Sequence, residues 1–145
     1  MKKLLIILVL GLICFNPLGI AHSEEPYVYL SFDQKEVRLG SYLLWDKVIP
    51  EALTVKVNSN CFHGSVVASM SSLKNSIGGR IDQDRVYIKT TATGGFISLS
   101  RPVIISQPAF GSHDIQVDFM VKANGELKRA GKYSGVIAFT ILPPV

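Results

Sequence analysis

Apolar and polar side chains alternate along the stretch DIQVDFMVK, residues 114–122. Its apolar odd-numbered residues, from Ile115 to Val121, fall on one side of an extended backbone, because successive side chains of a strand point to opposite faces. Only Met120 departs from the polar pattern of the other side. The stretch therefore predicts a strand with one buried and one solvated face, which is typical of an antiparallel sheet.

The rest of the chain contains further short, β-prone segments separated by glycine and proline. One stretch, residues 41–52, is ambiguous: Leu43, Leu44 and Val48 fit one turn of helix, but Pro50 interrupts it. The predicted strands are Tyr27–Phe32, Leu53–Asn58, Val66–Met70, Val86–Ile88, Phe96–Leu99, Val103–Ile105 and Tyr133–Ile141.

The last two predicted strands are separated by the sequence Ala123-Asn124-Gly125-Glu126. Asn-Gly accepts the positive φ angles of a tight turn, so the sequence predicts a hairpin here. In this arrangement Val117, Phe119, Ile137 and Phe139 occupy inward positions, and we expect them to be buried.

The order of elements indicates the fold class. No segment beyond residue 23 repeats its apolar residues every 3.6 positions over three turns. Short strands joined by glycine- and proline-rich turns predict an all-β fold, and this length favours an immunoglobulin-like antiparallel β-sandwich of about seven to eight strands. We expect residues 24–145 to form one domain.

The first 23 residues have the layout of a secretory signal peptide. Lys2 and Lys3 precede an apolar run, and Ala21-His22-Ser23 supplies small residues for cleavage before Glu24. An uncleaved anchor and a lipoprotein signal at Cys14 are the alternatives. The prediction is a chain exported to the periplasm, the cell surface or the medium, with no membrane span after cleavage.

Charge and cysteine content limit the partners of the exported chain. The full sequence has 15 Lys+Arg and 11 Asp+Glu, and loss of Lys2 and Lys3 leaves a net charge of about +2. The short basic cluster at residues 128–132 lacks interleaved aromatic residues, so we expect no nucleic-acid partner. Cys61 is alone after cleavage and can form no internal disulfide; it is expected to be a small buried residue or to pair between molecules.

Residues for catalysis or metal binding are sparse. Cys61, His63 and His113 are too few for a typical zinc site, and the two histidines are expected at the surface or at a sheet edge. Ser112-His113-Asp114 contains triad residue types, but adjacent strand residues point to opposite faces. The sequence thus predicts a non-enzymatic protein without cofactor or metal.

Aromatic side chains offer one route to ligand binding. Tyr27, Tyr42, Trp45 and Tyr87 are candidates for a surface that binds carbohydrate, although aromatic residues are more often part of a core.

The sequence AGKYSGVIAFTI, residues 130–141, resembles the closing strand of bacterial pilin-like and spore-coat-U-like secreted proteins. Residues 53–60, LTVKVNSN, are similar to the second strand of those proteins. Two features depart from the pattern: Cys61 has no partner for the usual disulfide, and Pro144 stands where a tyrosine is common. The resemblance implies an immunoglobulin-like fold and a fimbrial type of subunit.

We therefore expect an exported structural or adhesive subunit that binds other subunits or envelope proteins through strand edges. A secreted module that binds carbohydrate or protein is the alternative. Val28, Leu30 and Phe32 share one face of the first strand and form a candidate strand-exchange segment. Pairing of this segment within its own chain is the simpler arrangement.

Overall fold

The fold is all-β in this computed structural model, which describes residues 24–39, 46–123 and 132–145. These residues contain no α-helix and one short 3-10 helix, Gln83–Arg85. The strands are β1 (Val28–Phe32), β2 (Lys47–Ser59), β3 (Phe62–His63), β4 (Val66–Met70), β5 (Leu73–Lys74), β6 (Arg80–Ile81), β7 (Val86–Lys89), β8 (Ile97–Ser98), β9 (Val103–Ser106), β10 (Ala109–Phe110), β11 (His113–Val121) and β12 (Ile137–Ile141).

Two larger antiparallel sheets carry most of these strands. The first has the strand order β1-β2-β11-β7-β8, and the second has the order β12-β4-β9. Two short ribbons, β10-β3 and β5-β6, complete the ladders of the described residues. The expectation of an all-β antiparallel fold is confirmed.

A single buried cluster collects side chains from both larger sheets. Val55, Val57 and Val117 come from the five-stranded sheet, whereas Val66 and Ala68 come from the three-stranded sheet. Alternation along β2 and β11 places every second side chain in this cluster, as the sequence pattern predicts.

The predicted core residues divide into two groups. Val117 and Phe119 are fully buried, as expected. Ile137 and Phe139 are only partly buried, although they pack against the cluster. The difference arises because β11 is a central strand, whereas β12 is an edge strand of its sheet.

Strand β2 extends farther than the sequence pattern indicates. It runs through Val48 and Pro50, where one turn of helix was one expectation. Between the pairs Val117↔Leu53 and Phe119↔Ile49 the register shifts, so β2 has a bulge there, with more residues than the facing part of β11. The bulge accommodates Pro50, because proline is tolerated where a ladder hydrogen bond is interrupted.

The predicted hairpin between the last two strands is wrong. Strand β11 pairs with β2 and β7, whereas β12 pairs with β4 in the other sheet. The connection therefore passes from one sheet to the other instead of turning back on β11. Asn124 and Gly125 lie outside the described residues, and so does the signal segment 1–23.

Within the described ranges, no helix is long and apolar enough to cross a bilayer.

Candidate strand-edge interface

Strand β1 is an edge strand, and its backbone hydrogen bonds alternate. The N–H of Asn60 donates to the carbonyl of Tyr27 at 3.4 Å, and the N–H of Asp33 donates to the carbonyl of Thr54 at 3.3 Å. Odd-numbered residues of β1 thus bond to β2. In an antiparallel ladder the residues between them direct their N–H and C=O groups away from the partner strand. For β1 those residues are Val28, Leu30 and Phe32.

The same three residues point their side chains toward the core. Their ladder partners are Ser59, Val57 and Val55, which are buried residues of β2. Yet Val28 and Phe32 are 40% and 44% exposed, while Val57 and Val55 are 1% and 0% exposed. The inward face of β1 is therefore incompletely covered, because no further strand lies beyond it among the described residues.

Strand β12 repeats this arrangement on the second sheet. The N–H of Ser71 donates to the carbonyl of Val136 at 2.9 Å, and the N–H of Leu142 donates to the carbonyl of Ser65 at 2.8 Å. Even-numbered residues thus bond to β4, and the odd-numbered ones direct their main-chain groups outward. These odd-numbered residues also carry the inward, partly buried side chains: Ile137, Phe139 and Ile141.

The two edges lie on the same side of the molecule. The rings of Phe32 and Phe139 are 5.5 Å apart between centroids and tilted by 40°. We call the inward residues of both strands the open edge: Val28, Leu30, Phe32, Ile137, Phe139 and Ile141. The open edge combines outward backbone donors and acceptors with apolar side chains that are not fully covered.

The candidate strand-exchange residues thus belong to the first strand, which pairs within its own chain. Val28, Leu30 and Phe32 belong to β1, which pairs with β2 of its own chain. Sequence patterning identified these residues and their common face. It missed Phe139 as their neighbour, because the contact depends on which sheet receives β12.

The candidate aromatic residues do not form one surface in the described part of the chain. Tyr42 and Trp45 lie outside the described residues. Tyr87 is on the outer face of the five-stranded sheet, and the ammonium of Lys122 lies 4.6 Å from its ring centroid. That cation covers part of the ring and gives Tyr87 a structural partner.

The two histidines come together, and His63 lies in β3, an edge strand of a two-stranded ribbon, but its side chain is buried and not at the surface. Its side chain is 1% exposed, and its ring stacks on His113 with 5.2 Å between centroids. The Nδ1 of His63 lies 2.9 Å from the carbonyl of Gly64, so that nitrogen carries the hydrogen. Its Nε2 is buried and finds no hydrogen-bond partner in the described structure.

Within the described ranges, Ser112, His113 and Asp114 are not hydrogen-bonded to one another as a triad. No cluster of three His, Cys, Asp or Glu residues is placed to hold a metal there. The hydroxyl of Ser112 bonds to the backbone of Ser59, with which it exchanges two hydrogen bonds of 2.9 and 3.1 Å. His113 instead contacts Ser106, at 3.1 Å from Nε2 to Oγ. Cys61 is partly exposed rather than buried, and its thiol faces the carbonyl of Tyr27.

No model of a known protein family matches this sequence, and a search of curated proteins finds no match.

Proposed function

We propose that this protein is an exported, non-enzymatic structural or adhesive subunit of an immunoglobulin-like sandwich type, which associates with other copies through strand edges. The observation that carries the proposal is the open edge. The same residues offer ladder groups that no described strand pairs and incompletely buried apolar side chains, on two strands that meet at Phe32 and Phe139.

Strand addition uses both properties of such an edge. Backbone hydrogen bonds supply affinity, and contacts to alternate side chains supply register. Exposed edges of this kind are usually protected by charge, proline or bulges. Strand β1, VYLSF, contains none of these within its five residues. An added strand with apolar residues at every second position would cover the open edge and complete the ladder.

In this proposal β1 receives a strand and is not lent to a neighbour. Its five pairs with β2, from Val28↔Ser59 to Phe32↔Val55, would all be lost if it were exchanged. Addition of a strand from a second copy leaves those pairs intact. The second copy is therefore the proposed partner, and residues 24–33 serve as part of the acceptor.

A proline at position 28 tests this assignment. The N–H of Val28 points away from β2, so Val28→Pro removes an outward donor without removing a bond of the β1–β2 ladder. Val28→Ala is the matched control, because it shortens the side chain but keeps the N–H. Sedimentation velocity of the exported protein over a wide concentration range measures the association.

We expect the wild type and Val28→Ala to form oligomers whose mean mass rises with concentration, and Val28→Pro to be monomeric. Thermal unfolding should show that all three proteins are folded. A wild type that is monomeric at every concentration contradicts the proposal. A Val28→Pro protein that associates like Val28→Ala also contradicts it. If Val28→Pro fails to fold, Phe32→Lys against Ser31→Lys makes the same comparison with side chains, and the inward lysine should abolish association.

Export has a separate test. N-terminal sequencing of the protein recovered outside the cytoplasm should begin at Glu24. An intact Met1, or a lipid attached to Cys14, would contradict cleavage after Ser23.

A further inference from the structure

The outer face of the five-stranded sheet displays two neighbouring tyrosines. Tyr27 and Tyr29 are 44% and 56% exposed, and their ring centroids are 6.1 Å apart with an interplanar angle of 34°. Tyr27 directly precedes β1, and Tyr29 is the second residue of that strand. Both side chains lie on the face opposite Val28 and Leu30. Core packing therefore does not explain these rings.

Backbone contacts hold the first tyrosine in place. The N–H of Tyr27 donates to Oδ1 of Asn60 at 2.8 Å, and the carbonyl of Tyr27 accepts from the N–H of Asn60. The amide of Asn60 also donates to the carbonyl of Glu25 at 3.1 Å. The backbone that carries the first ring is thus held in place before any ligand arrives, which reduces the entropy lost on binding.

Polar side chains continue this face across the sheet. Asn58 lies opposite Tyr29, and its amide nitrogen donates to the hydroxyl of Ser31 at 2.9 Å. The carbonyl oxygen of Asn58 is left to accept another hydrogen bond. One strand farther, Gln116 accepts from Thr54 through its oxygen, which leaves its NH₂ group to donate.

Charge on this face is balanced. Lys56 and Asp114 lie directly opposite each other in the β2–β11 ladder, and both are exposed. No aliphatic side chain occupies the outward positions from Tyr29 to Gln116. We call the outward residues of this region the tyrosine face: Tyr27, Tyr29, Ser31, Thr54, Lys56, Asn58, Asp114 and Gln116.

We propose that the tyrosine face binds a neutral, extended oligosaccharide of β-1,4-linked pyranose units. The apolar C–H surfaces of a pyranose pack on aromatic rings, and its hydroxyls exchange hydrogen bonds with amides and carboxylates. The two rings and the polar side chains beside them are spread over three neighbouring strands, β1, β2 and β11, so the face is longer than one pyranose and suits an extended chain. The balanced charges do not favour a polyanion, and the lack of aliphatic side chains does not favour the apolar centre of a protein interface.

This site is independent of the open edge. Inward residues of β1 form the open edge, whereas outward residues of the same strand form the tyrosine face. Oligomers and saccharide binding can therefore succeed or fail separately in experiment.

The test is a titration of the isotopically labelled protein, followed by NMR, with cellohexaose and with chitohexaose. Maltohexaose is the control ligand, because its α-1,4 linkages give a curved chain. We expect both β-linked hexamers to shift the ring resonances of Tyr27 and Tyr29 and the amide resonances of Asn58. Maltohexaose should bind at least about tenfold more weakly, which corresponds to the loss of one good ring contact.

Tyr29→Thr keeps a β-prone residue and removes the ring. It should raise the Kd for the β-linked hexamers by about tenfold or more. Tyr87→Thr removes a ring from the same sheet outside the tyrosine face and should leave the Kd unchanged. Saturable shifts that survive Tyr29→Thr, shifts that lie elsewhere, equal binding of maltohexaose, or no shift with either β-linked hexamer would each overturn the proposal. The ring resonances of the wild type give this answer even if a variant fails to fold.

Discussion

The backbone N–H of Glu51 donates a hydrogen bond of 2.8 Å to Oδ1 of Asp118, at the position where β2 bulges away from β11. Glu51 has a φ of 48°, which lies in the left-handed region that glycine adopts without strain. The carboxylate of Asp118 thus takes the place of the ladder acceptor that the bulge removes. The pair holds a strained residue in the longest strand of the described chain.

Glu51→Gly should stabilise the protein. A left-handed conformation costs a residue with a side chain about 1–2 kcal/mol, and part of this gain is offset by the greater freedom of glycine in the unfolded chain. We expect the free energy of unfolding to rise by about 0.5–1 kcal/mol in urea titrations.

Lys56→Gly is the control, because Lys56 lies in regular ladder positions of the same strand. It should lower the free energy of unfolding by about 0.5–1 kcal/mol. A loss of stability in Glu51→Gly similar to that of Lys56→Gly would contradict the strain at Glu51.

The bulge shows what the sequence could and could not predict. Alternation in β11 and in residues 53–58 identified the inward side chains correctly, because one face of each strand is buried. The extension of β2 through Pro50 was not predictable, since it depends on a carboxylate 67 residues away, Asp118. Turn chemistry at Asn124-Gly125 also could not indicate which sheet receives β12, because that choice is made by packing.

The open edge, like strand β2, was only partly predictable from the sequence. Patterning placed Val28, Leu30 and Phe32 on one face. The direction of their main-chain groups follows only from the pairing with β2, and the contact to Phe139 only from the arrangement of the two sheets. The same alternation placed Tyr29 on the opposite face, but its exposure and its position opposite Asn58 follow only from the pairing with β2.

Truncation of a phenylalanine should lower the free energy of unfolding more in a central strand than in an edge strand. Phe119 is fully buried in a central strand, so Phe119→Ala should cost about 3–5 kcal/mol. Phe139 is partly buried on β12, and Phe139→Ala should cost less than half of that amount. Urea unfolding measures both. A loss below about 1 kcal/mol for Phe119→Ala would show that the register of β11 is wrong.

The burial of the His63 side chain can be tested by its substitution with alanine. Its ring is buried, stacks on His113 and donates to the carbonyl of Gly64. His63→Ala leaves a cavity and an unsatisfied carbonyl, so we expect a loss of about 2–4 kcal/mol in the free energy of unfolding. His113 is only partly buried, and His113→Ala should cost clearly less. Equal losses, or a negligible loss for His63→Ala, would contradict the described packing.

The C-terminal segment passes close to Gly64. A Cβ atom at this position would lie 2.6 Å from the carbonyl oxygen of Pro143 and would also overlap the carbonyl oxygen of Leu142. Backbone atoms cannot move aside as the end of a long side chain can. Nearby, the N–H of Leu142 donates to the carbonyl of Ser65 at 2.8 Å, so displacement of the segment would also strain this bond. Gly64 is therefore required for this close approach.

Gly64→Ala should lower the free energy of unfolding by about 1–3 kcal/mol, the usual cost of forced overpacking. It should also accelerate hydrogen exchange at the backbone N–H of Leu142, because displacement of the segment weakens the bond of this group to the carbonyl of Ser65. Gly95→Ala is the matched control: its added Cβ meets no atom within 4 Å, so stability should be unchanged or slightly higher. If both variants behave alike in urea unfolding and in hydrogen exchange, residues 142–143 do not lie against Gly64 in solution.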